Sequence, residues 1–272
     1  MTAPPFPALR GRFPFKLAAP SFVVPGSYIA NAELLAGSVD AIELLFFESG
    51  PNSTLPDRAE LDALRRLGSS SDLDYVLHLP IDLRLGALDF AERADSLGRL
   101  LRVWELGQPL EPELAVLHLE PGPLNNEDQS SWIERVEPAV EALVQAGCAR
   151  QRLCLETLDF GVEPLAELAR RSAAQLALDL GHAVRDGLPA LELLRRHRAL
   201  VRLLHLHGAA PGRDHLPLEV LGSDWLRELV AVLREPTFSG VLCVEVFEAA
   251  ALLSSLQAWE AAWHDRGKRR LS

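Results

Sequence analysis

The sequence of 272 residues has few cysteines, few aromatic side chains and no long apolar run. Its three cysteines, Cys148, Cys154 and Cys243, form no CxxC pair, which excludes a disulfide framework and a thiolate zinc site. Apolar runs such as residues 44–47 fall far short of the ~20 residues that cross a bilayer. Residues 1–15 lack the apolar segment and cleavage site of a signal peptide. We therefore expect a cytoplasmic protein that does not bind a membrane.

Positive charge is also scarce, since 27 Lys and Arg stand against 38 Asp and Glu, a net charge of −11. No run of more than three consecutive Lys or Arg residues is present to neutralise a phosphate backbone, from which most nucleic-acid affinity comes. The composition therefore argues against a nucleic-acid partner and favours a small-molecule substrate. The oligomeric state is left open.

The chain has no internal linker, because no Gly/Ser-rich or low-complexity tract interrupts the sequence between Phe15 and Trp263. We predict one domain over residues 15–266, preceded by a Pro-rich extension of residues 1–14. A basic tail of residues 267–272 would follow. A single domain of this length is typical of barrels.

The predicted domain alternates short apolar runs with longer helical patterns, which indicates an α/β fold with a parallel sheet. Eight strand–helix units predict a (β/α)₈ TIM barrel, and an open doubly wound sheet is the alternative. The predicted strands are residues 15–23, 41–47, 75–79, 115–119, 152–156, 175–179, 201–207 and 240–246.

The intervening segments carry helical spacing. A helix opening at Pro56 and Asp57 is predicted to end at Gly68, and His197 and His264 are predicted to lie on helix surfaces. Two apolar stripes are predicted to pack against the barrel: Phe90, Ala94, Leu97, Leu101 and Trp104 in one helix, and Trp132, Val136, Val140 and Leu143 in the next.

Polar residues stand at the C-terminal ends of six consecutive predicted strands. The active sites of such barrels lie at these strand ends. Burying so many titratable groups at one rim is costly unless a cation organises them. Imidazoles mixed with carboxylates suit Zn²⁺, Mn²⁺, Fe²⁺ or Co²⁺, and the set is large enough for two or three ions. The candidate metal ligands are His78, His118, Glu156, Asp179, His182, His205, Asp214, His215 and Glu245.

Within this set we predict Glu156, Glu245 and His118 as the catalytic residues, with Glu156 bridging two metal ions. Arg84 and Arg213 follow ligand-bearing strands by a few residues, so they are the candidates to hold a substrate phosphate.

Two further residues, His207 and Glu43, are predicted substrate contacts. Glu43 lies in the middle of an apolar strand. It is either an inward-facing substrate contact or a core carboxylate tied to a neighbouring cation, and the sequence favours neither.

The ordered strand ends His, His, Glu, Asp-x-x-His, His, Asp/His and Glu resemble those of the xylose isomerase-like barrel superfamily, in particular its endonuclease IV branch. This resemblance implies a trinuclear metal hydrolase of phosphodiesters. That branch usually has one residue between its last Asp and His, whereas Asp214 and His215 are adjacent. Whether one or both of them bind metal is open.

Several segments more closely resemble the cobamide-remodelling phosphodiesterases, a bacterial group of the same superfamily. This resemblance implies hydrolysis of the nucleotide-loop phosphoester of a corrinoid, giving a cobinamide phosphate and a ribosylated lower ligand. The segments are residues 21–25, 39–44, 76–86, 205–208, 212–216 and 245–247.

Two other functions compete with this hypothesis. A sugar isomerase or epimerase of the same superfamily would polarise a carbonyl with one divalent ion beside a proton-abstracting base. It would leave the histidines of the third and fourth strands and the Asp214–His215 pair without a collective role. A non-catalytic corrinoid- or metal-binding barrel would require saturated ligands. The isomerase would use four ligands: Glu156, Asp179, His205 and Glu245.

Overall fold

A computed structural model describes residues 6–50, 53, 55–124, 127–156 and 160–265. The predicted basic tail, residues 267–272, lies outside the described residues, as do residues 1–5 of the predicted N-terminal extension.

Eight parallel strands close into a barrel within the described residues. Lys16 on the first strand pairs with Val241 on the last, so the sheet has no open edge. This closure confirms the predicted barrel and excludes the open sheet. The barrel strands, in spatial order, are β1 (Lys16–Pro20), β2 (Ala41–Leu45), β3 (Asp74–His78), β4 (Leu114–His118), β5 (Leu153–Glu156), β6 (Gln175–Asp179), β7 (Val201–Leu206) and β10 (Val241–Val244).

Helices connect the strands, and an antiparallel hairpin of β8 (Gly208–Ala210) and β9 (Arg213–Leu216) follows β7 directly. The sequence analysis did not predict this hairpin, because strands of three and four residues are too short to show alternation. The helices are α1 (Tyr28–Leu35), α2 (Arg58–Ser71), α3 (Phe90–Gly107), α4 (Gln129–Gln145), α5 (Val162–Ser172), α6 (Leu180–Arg185), α7 (Ala190–His197), α8 (Ser223–Arg234) and α9 (Ala249–His264). In the described part of the chain, no helix is both long and apolar enough to span a membrane.

The face of α3 that packs on the barrel differs from the predicted one. Phe90, the first residue of the predicted stripe, is 75% exposed. At the other end of α3, a Cβ on Gly107 would approach Leu77 of β3 to 2.5 Å, so a small residue lets the helix come close. The apolar pattern alone did not predict this face, because two of its residues are small rather than apolar. The buried residues of α3 are Ser96, Leu100, Val103, Trp104 and Gly107. The predicted stripe on α4 is buried throughout, as expected.

The end of α2 also lies later than predicted. The helix passes through Gly68 and ends at Ser71, and Asp72 takes a left-handed φ of 49° beyond it. A Cβ at Gly68 would lie 3.0 Å from the ring of Tyr75. The glycine therefore serves close packing on β3 rather than helix termination.

The prediction of a surface position for His197 is wrong, since this last residue of α7 is only 2% exposed. Its Nε2 lies 3.4 Å from a carboxylate oxygen of Glu163 on α5. A contact between two helices depends on their packing and leaves no mark in the local sequence. His264 at the end of α9 is exposed, as predicted.

Candidate metal centre

The strand alternation by itself brings the polar residues to the barrel interior. Successive side chains of a strand point to opposite faces, so a residue two positions beyond an inward-facing one also points inward. The apolar residues that fill the barrel are followed in this way by polar ones. The pairs are Ala41 and Glu43, Val76 and His78, Val116 and His118, Cys154 and Glu156, Ala177 and Asp179, Leu203 and His205, and Cys243 and Glu245.

A first group of donor atoms consists of His78, His118 and Glu156. The Nε2 atoms of the two histidines lie 3.2 Å apart, and Oε2 of Glu156 lies 2.6 Å from that of His118. Nδ1 of His78 lies 3.0 Å from the carbonyl oxygen of Leu79, to which it donates. This bond leaves the lone pair of Nε2 directed into the site, the arrangement typical of a metal-binding histidine.

A second group shares Glu156 with the first and adds Asp179 and His205. Oε1 of Glu156 lies 2.5 Å from Nδ1 of His205, and Oε2 of Glu245 lies 3.6 Å from the same nitrogen. The two carboxylate oxygens of Glu156 thus face different groups. This is the geometry that the predicted bridging role requires.

A third group lies on α6 and the hairpin. Nε2 of His182 is 3.4 Å from Oδ2 of Asp214, and the ring centroids of His182 and His215 are 5.3 Å apart. Nδ1 of His215 donates to the carbonyl oxygen of Glu245 at 3.0 Å, leaving Nε2 as an acceptor. Both adjacent residues of the hairpin, Asp214 and His215, line the same cavity as His182. The structure therefore places both within reach of this group.

His207 lies next to this centre, between Asp179 and the hairpin. Its side chain is fully buried, and its Nδ1 accepts a hydrogen bond from the main-chain N–H of His215 at 3.0 Å. The same nitrogen lies 3.1 Å from the carbonyl oxygen of Gly208, and Nε2 lies 3.2 Å from Oδ1 of Asp179. The ring packs on Gly181, where a Cβ would come within 2.2 Å of it. His207 thus contacts both Asp179 and the hairpin, and its donor nitrogen also lies within 4.8 Å of those of His182 and His215, so it is a further candidate ligand. Its role as a substrate contact stays a prediction.

Glu43 occupies a similar supporting position. Its side chain is fully buried, and Oε1 lies 3.0 Å from Nε2 of His205. This geometry corresponds to the second alternative, a core carboxylate tied to a neighbouring cationic or donor group. A carboxylate that accepts from one ring nitrogen orients the other nitrogen toward a metal and raises its basicity.

We therefore expect Glu43→Gln to lower metal affinity about 10- to 100-fold, the usual cost of losing such a partner. The amide keeps the shape of the side chain but not the negative charge that strengthens the bond to His205. Titration of the protein with Zn²⁺ against a competing chelator measures the change. Glu134→Gln on the exposed face of α4 is the control. Equal affinity of the two variants would contradict the supporting role.

The electrostatics of the centre reflect an excess of buried carboxylates. Burial raises the pKa of Glu245 well above its usual value, and the carboxylates of Glu43, Asp179 and Glu156 add to this although His205 opposes it. Burial lowers the pKa of His205, but the charges of Glu156, Glu43 and Glu245 outweigh it and raise that pKa well above the usual value. Divalent cations would offset this negative charge.

Two of the histidines are held neutral. Burial lowers the pKa of His118 despite the neighbouring Glu156. Burial, together with the charge of His207, lowers the pKa of His215 to about 4. Neutral imidazole is the form that binds a metal, so both rings are ready to act as ligands near pH 7.

The donor set fits a borderline divalent metal. Among the described residues, Oε2 of Glu156, Nδ1 of His118 and Nδ1 of His182 are buried without a hydrogen-bond partner. Oε2 of Glu156 lies close to Nε2 of His118, but the two atoms are not aligned as donor and acceptor. The atoms that converge are Nε2 of His78, Nε2 of His118 and Oε2 of Glu156, with no two more than 3.4 Å apart, and a metal ion satisfies such an arrangement.

The ligand candidates surround a cavity of about 230 Å³ at the C-terminal ends of the strands. All nine candidates line it. Four further side chains complete the lining: Phe47, Ile81, Arg185 and Phe247.

Neither predicted arginine is among the described residues that line the central cavity, and a third arginine is. Arg213 is exposed on β9 and is absent from the described residues that line this cavity. Arg84 lines an adjoining cavity. Arg185, which the sequence analysis missed, lines the central cavity, and its Nη1 binds Oδ2 of Asp214 at 2.8 Å. Its spacing of three residues after His182 on a helix was the available signal.

The sequence profile of the xylose isomerase-like TIM barrel family matches residues 33–265. A search of curated proteins gives no match.

Similar solved structures extend over nearly the whole chain. A D-tagatose 3-epimerase-like protein has a TM-score of 0.72 at 18% identity, covering 91% of this chain and 97% of its own. Endonuclease IV from Thermus thermophilus has a TM-score of 0.65 at 23% identity, covering 90% and 99%. A D-psicose 3-epimerase has a TM-score of 0.66 at 14% identity, covering 91% and 98%. At these identities the likeness shows the fold.

Proposed function

The chain belongs to the xylose isomerase-like TIM barrel family, and within that family we propose that it is a metal-dependent phosphodiesterase. We propose further that it hydrolyses the nucleotide-loop phosphoester of cobamides. The products would be a cobinamide phosphate and a ribosylated lower ligand.

The observation that carries this proposal is the number of donor groups that meet at one cavity. A sugar epimerase needs one ion, for which the group around Glu156, Asp179, His205 and Glu245 would suffice. The structure adds His78 and His118 on one side of Glu156. It also adds the group of His182, His207 and His215, with Asp214 at the same cavity. Metal ions ~3.5 to 4 Å apart suit the displacement of a phosphate oxygen, because both the entering and the leaving oxygen need stabilisation.

Each group of donor residues would hold a different metal ion. One ion would be held by His78, His118 and Glu156, a second by Glu156, Asp179, His205 and Glu245, and a third by His182, Asp214 and His215. Bound divalent ions supply Lewis acidity, which lowers the pKa of water and offsets the charge of a phosphodiester.

The protein's own groups would then hold the substrate and the ligands in place. His118, Glu156 and Glu245 line the cavity where the reacting phosphate would lie. The guanidinium of Arg185 lies in the same cavity, where it would bind a phosphate oxygen and keep Asp214 in position. Glu43 and His207, behind His205 and Asp179, would hold those ligands in orientation.

The choice of a cobamide as substrate is supported by the sequence segments that resemble the cobamide-remodelling phosphodiesterases. The net charge of −11 agrees with a small-molecule substrate rather than a nucleic acid. Sugar isomerisation is the competing function, and the neighbouring epimerase folds make it the first alternative to test.

The test is incubation with a complete cobamide and Zn²⁺ or Mn²⁺ in ¹⁸O water, followed by mass analysis. We expect a cobinamide phosphate that carries one ¹⁸O, because water attacks phosphorus and the bond from phosphorus to the ribose oxygen breaks. The ribosylated lower ligand leaves with its own oxygen and takes up a proton. An unchanged cobamide, together with epimerisation of a free ketose by the same preparation, would replace the proposal with the isomerase.

A further inference from the structure

A second cavity, of about 460 Å³, opens beside the metal centre. We name it the side cavity. It shares His118 and Ile81 with the central cavity, so a substrate held at the metal ligands can extend into it without leaving the protein surface. Its lining consists of Ile81, Asp82, Arg84, His118, Glu120, Pro121, Gly122, Pro123, Leu124 and Phe160.

One wall of the side cavity is the aromatic ring of Phe160, which neighbouring residues hold in place. The ring of Phe160 packs directly on Gly122, where a Cβ would come within 2.2 Å of it. It also makes an edge contact with the buried Trp132, with ring centroids 5.3 Å apart and planes at 71°. The indole of Trp132 donates to the carbonyl oxygen of Pro121 at 3.0 Å. Phe160 is thus positioned by the barrel before any ligand arrives.

The lining also includes large apolar side chains that are open to solvent. Ile81 and Leu124 are 38% and 39% exposed, so each offers apolar surface to a ligand in this cavity. Arg84 lies at the same cavity, more than half exposed, and its Nε is 3.8 Å from Glu92. The lining thus combines apolar side chains with a few polar groups, namely Asp82, Arg84, His118 and Glu120, which is typical of a site for a small organic ligand.

The carboxylate of Asp82 does not change this chemistry. It accepts hydrogen bonds from the main-chain N–H and the hydroxyl of Ser49 at 3.1 and 3.0 Å, and it is paired with Arg99. The ion pair with Arg99 offsets the negative charge of Asp82. A sugar, with a hydroxyl on nearly every carbon, would find few polar partners on the Ile, Leu, Pro and Phe surface.

We propose that the side cavity binds the aromatic base of the leaving nucleoside, with the base against Phe160 and the ribose toward His118. This inference rests on the proposed phosphodiesterase function. The size fits, since a cavity of about 460 Å³ lies within the range of ~300 to 1,000 Å³ that holds small ligands, whereas a corrin macrocycle with its amide side chains is too large. The choice of a flat ring follows from Phe160, because bases of any sequence stack on aromatic side chains.

The experiment is calorimetric titration of the full-length protein with a benzimidazole ribonucleoside, which is a product analogue and needs no catalysis. We expect Phe160→Ala to weaken binding about 5- to 100-fold, the range for losing one base–aromatic stack. Leu124→Ala should weaken it by a smaller factor. Phe90→Ala is the matched control, since it removes an exposed ring that does not line the side cavity, and it should leave the affinity unchanged. Thermal melting of each variant checks that the fold is kept.

The two proposals fail separately in this design. If the wild type hydrolyses a cobamide but Phe160→Ala and Leu124→Ala both bind the nucleoside like the wild type, the side cavity is not the base site. If the wild type cleaves no phosphodiester but binds the nucleoside through Phe160, the site assignment stands and the proposed reaction falls. Absence of nucleoside binding at millimolar concentration in the wild type would overturn the assignment of the side cavity directly.

Discussion

Glu156→Gln is expected to lower phosphodiesterase activity by on the order of 10²- to 10³-fold or more, as removal of one electrostatic stabiliser commonly does. The loss should be larger than for any single neighbouring ligand, because the two oxygens of Glu156 face two different donor groups. Oε2 lies 2.6 Å from Nε2 of His118, and Oε1 lies 2.5 Å from Nδ1 of His205. A neutral amide offers one oxygen and one NH₂ donor, so it cannot serve both groups as an acceptor.

The metal content should fall together with the activity. Elemental analysis of protein purified without added ions is expected to give ~2 to 3 equivalents for the wild type, the number suited to a phosphoryl displacement, and at most one for Glu156→Gln. Glu167→Gln is the matched control, because Glu167 is an exposed residue of α5 that follows the same strand. Full activity and full metal content in Glu156→Gln would remove Glu156 from the centre.

Removal of the metal ions with a chelator is expected to abolish activity and to lower the melting temperature by about 10 °C, since an ion that binds only the folded state stabilises it by several kcal/mol. Without cations, the buried carboxylates of Glu43, Glu156 and Asp179 repel that of Glu245 and add to the rise of its pKa. Activity should return in proportion to added Zn²⁺ or Mn²⁺ and reach a plateau at the stoichiometry of the untreated protein.

Chelator already saturated with zinc is the control for this experiment, and it should change neither activity nor melting. A plateau at one equivalent would favour the isomerase, since four ligands around a single ion suffice for that reaction. An unchanged melting temperature on complete removal of metal would show that the donor groups are satisfied by one another, as in a structural core.

The barrel and most of the centre could be predicted from the sequence because both follow from strand periodicity. Val116 and His118, or Cys154 and Glu156, are two residues apart in a short apolar run. In a strand this spacing places them on the same face, and in a closed barrel the inward faces of all strands meet. Local spacing therefore determined which polar side chains would converge at the C-terminal end of the barrel.

Only the tertiary structure decided which polar residues of the centre contact one another. Glu43 and His205 lie 162 positions apart in sequence, and closure of the barrel brings Oε1 of one to 3.0 Å from Nε2 of the other. His207 could not be separated from the ligands by its position after β7. Its role as a support depends on the hairpin, whose main-chain N–H at His215 binds Nδ1 of His207.

Local sequence pattern was also insufficient to locate the residues that would contact the substrate. Arg213 and Arg185 each follow a ligand-bearing strand by a few residues, yet the hairpin carries Arg213 to the surface while α6 directs Arg185 into the central cavity. Phe160 follows no periodic signal, and it becomes a wall of the side cavity only because Gly122 lets its ring approach. Periodicity thus determined which residues face inward. Which of them touch a ligand depends on distances between segments far apart in the chain, and only the packing of the whole barrel sets those distances.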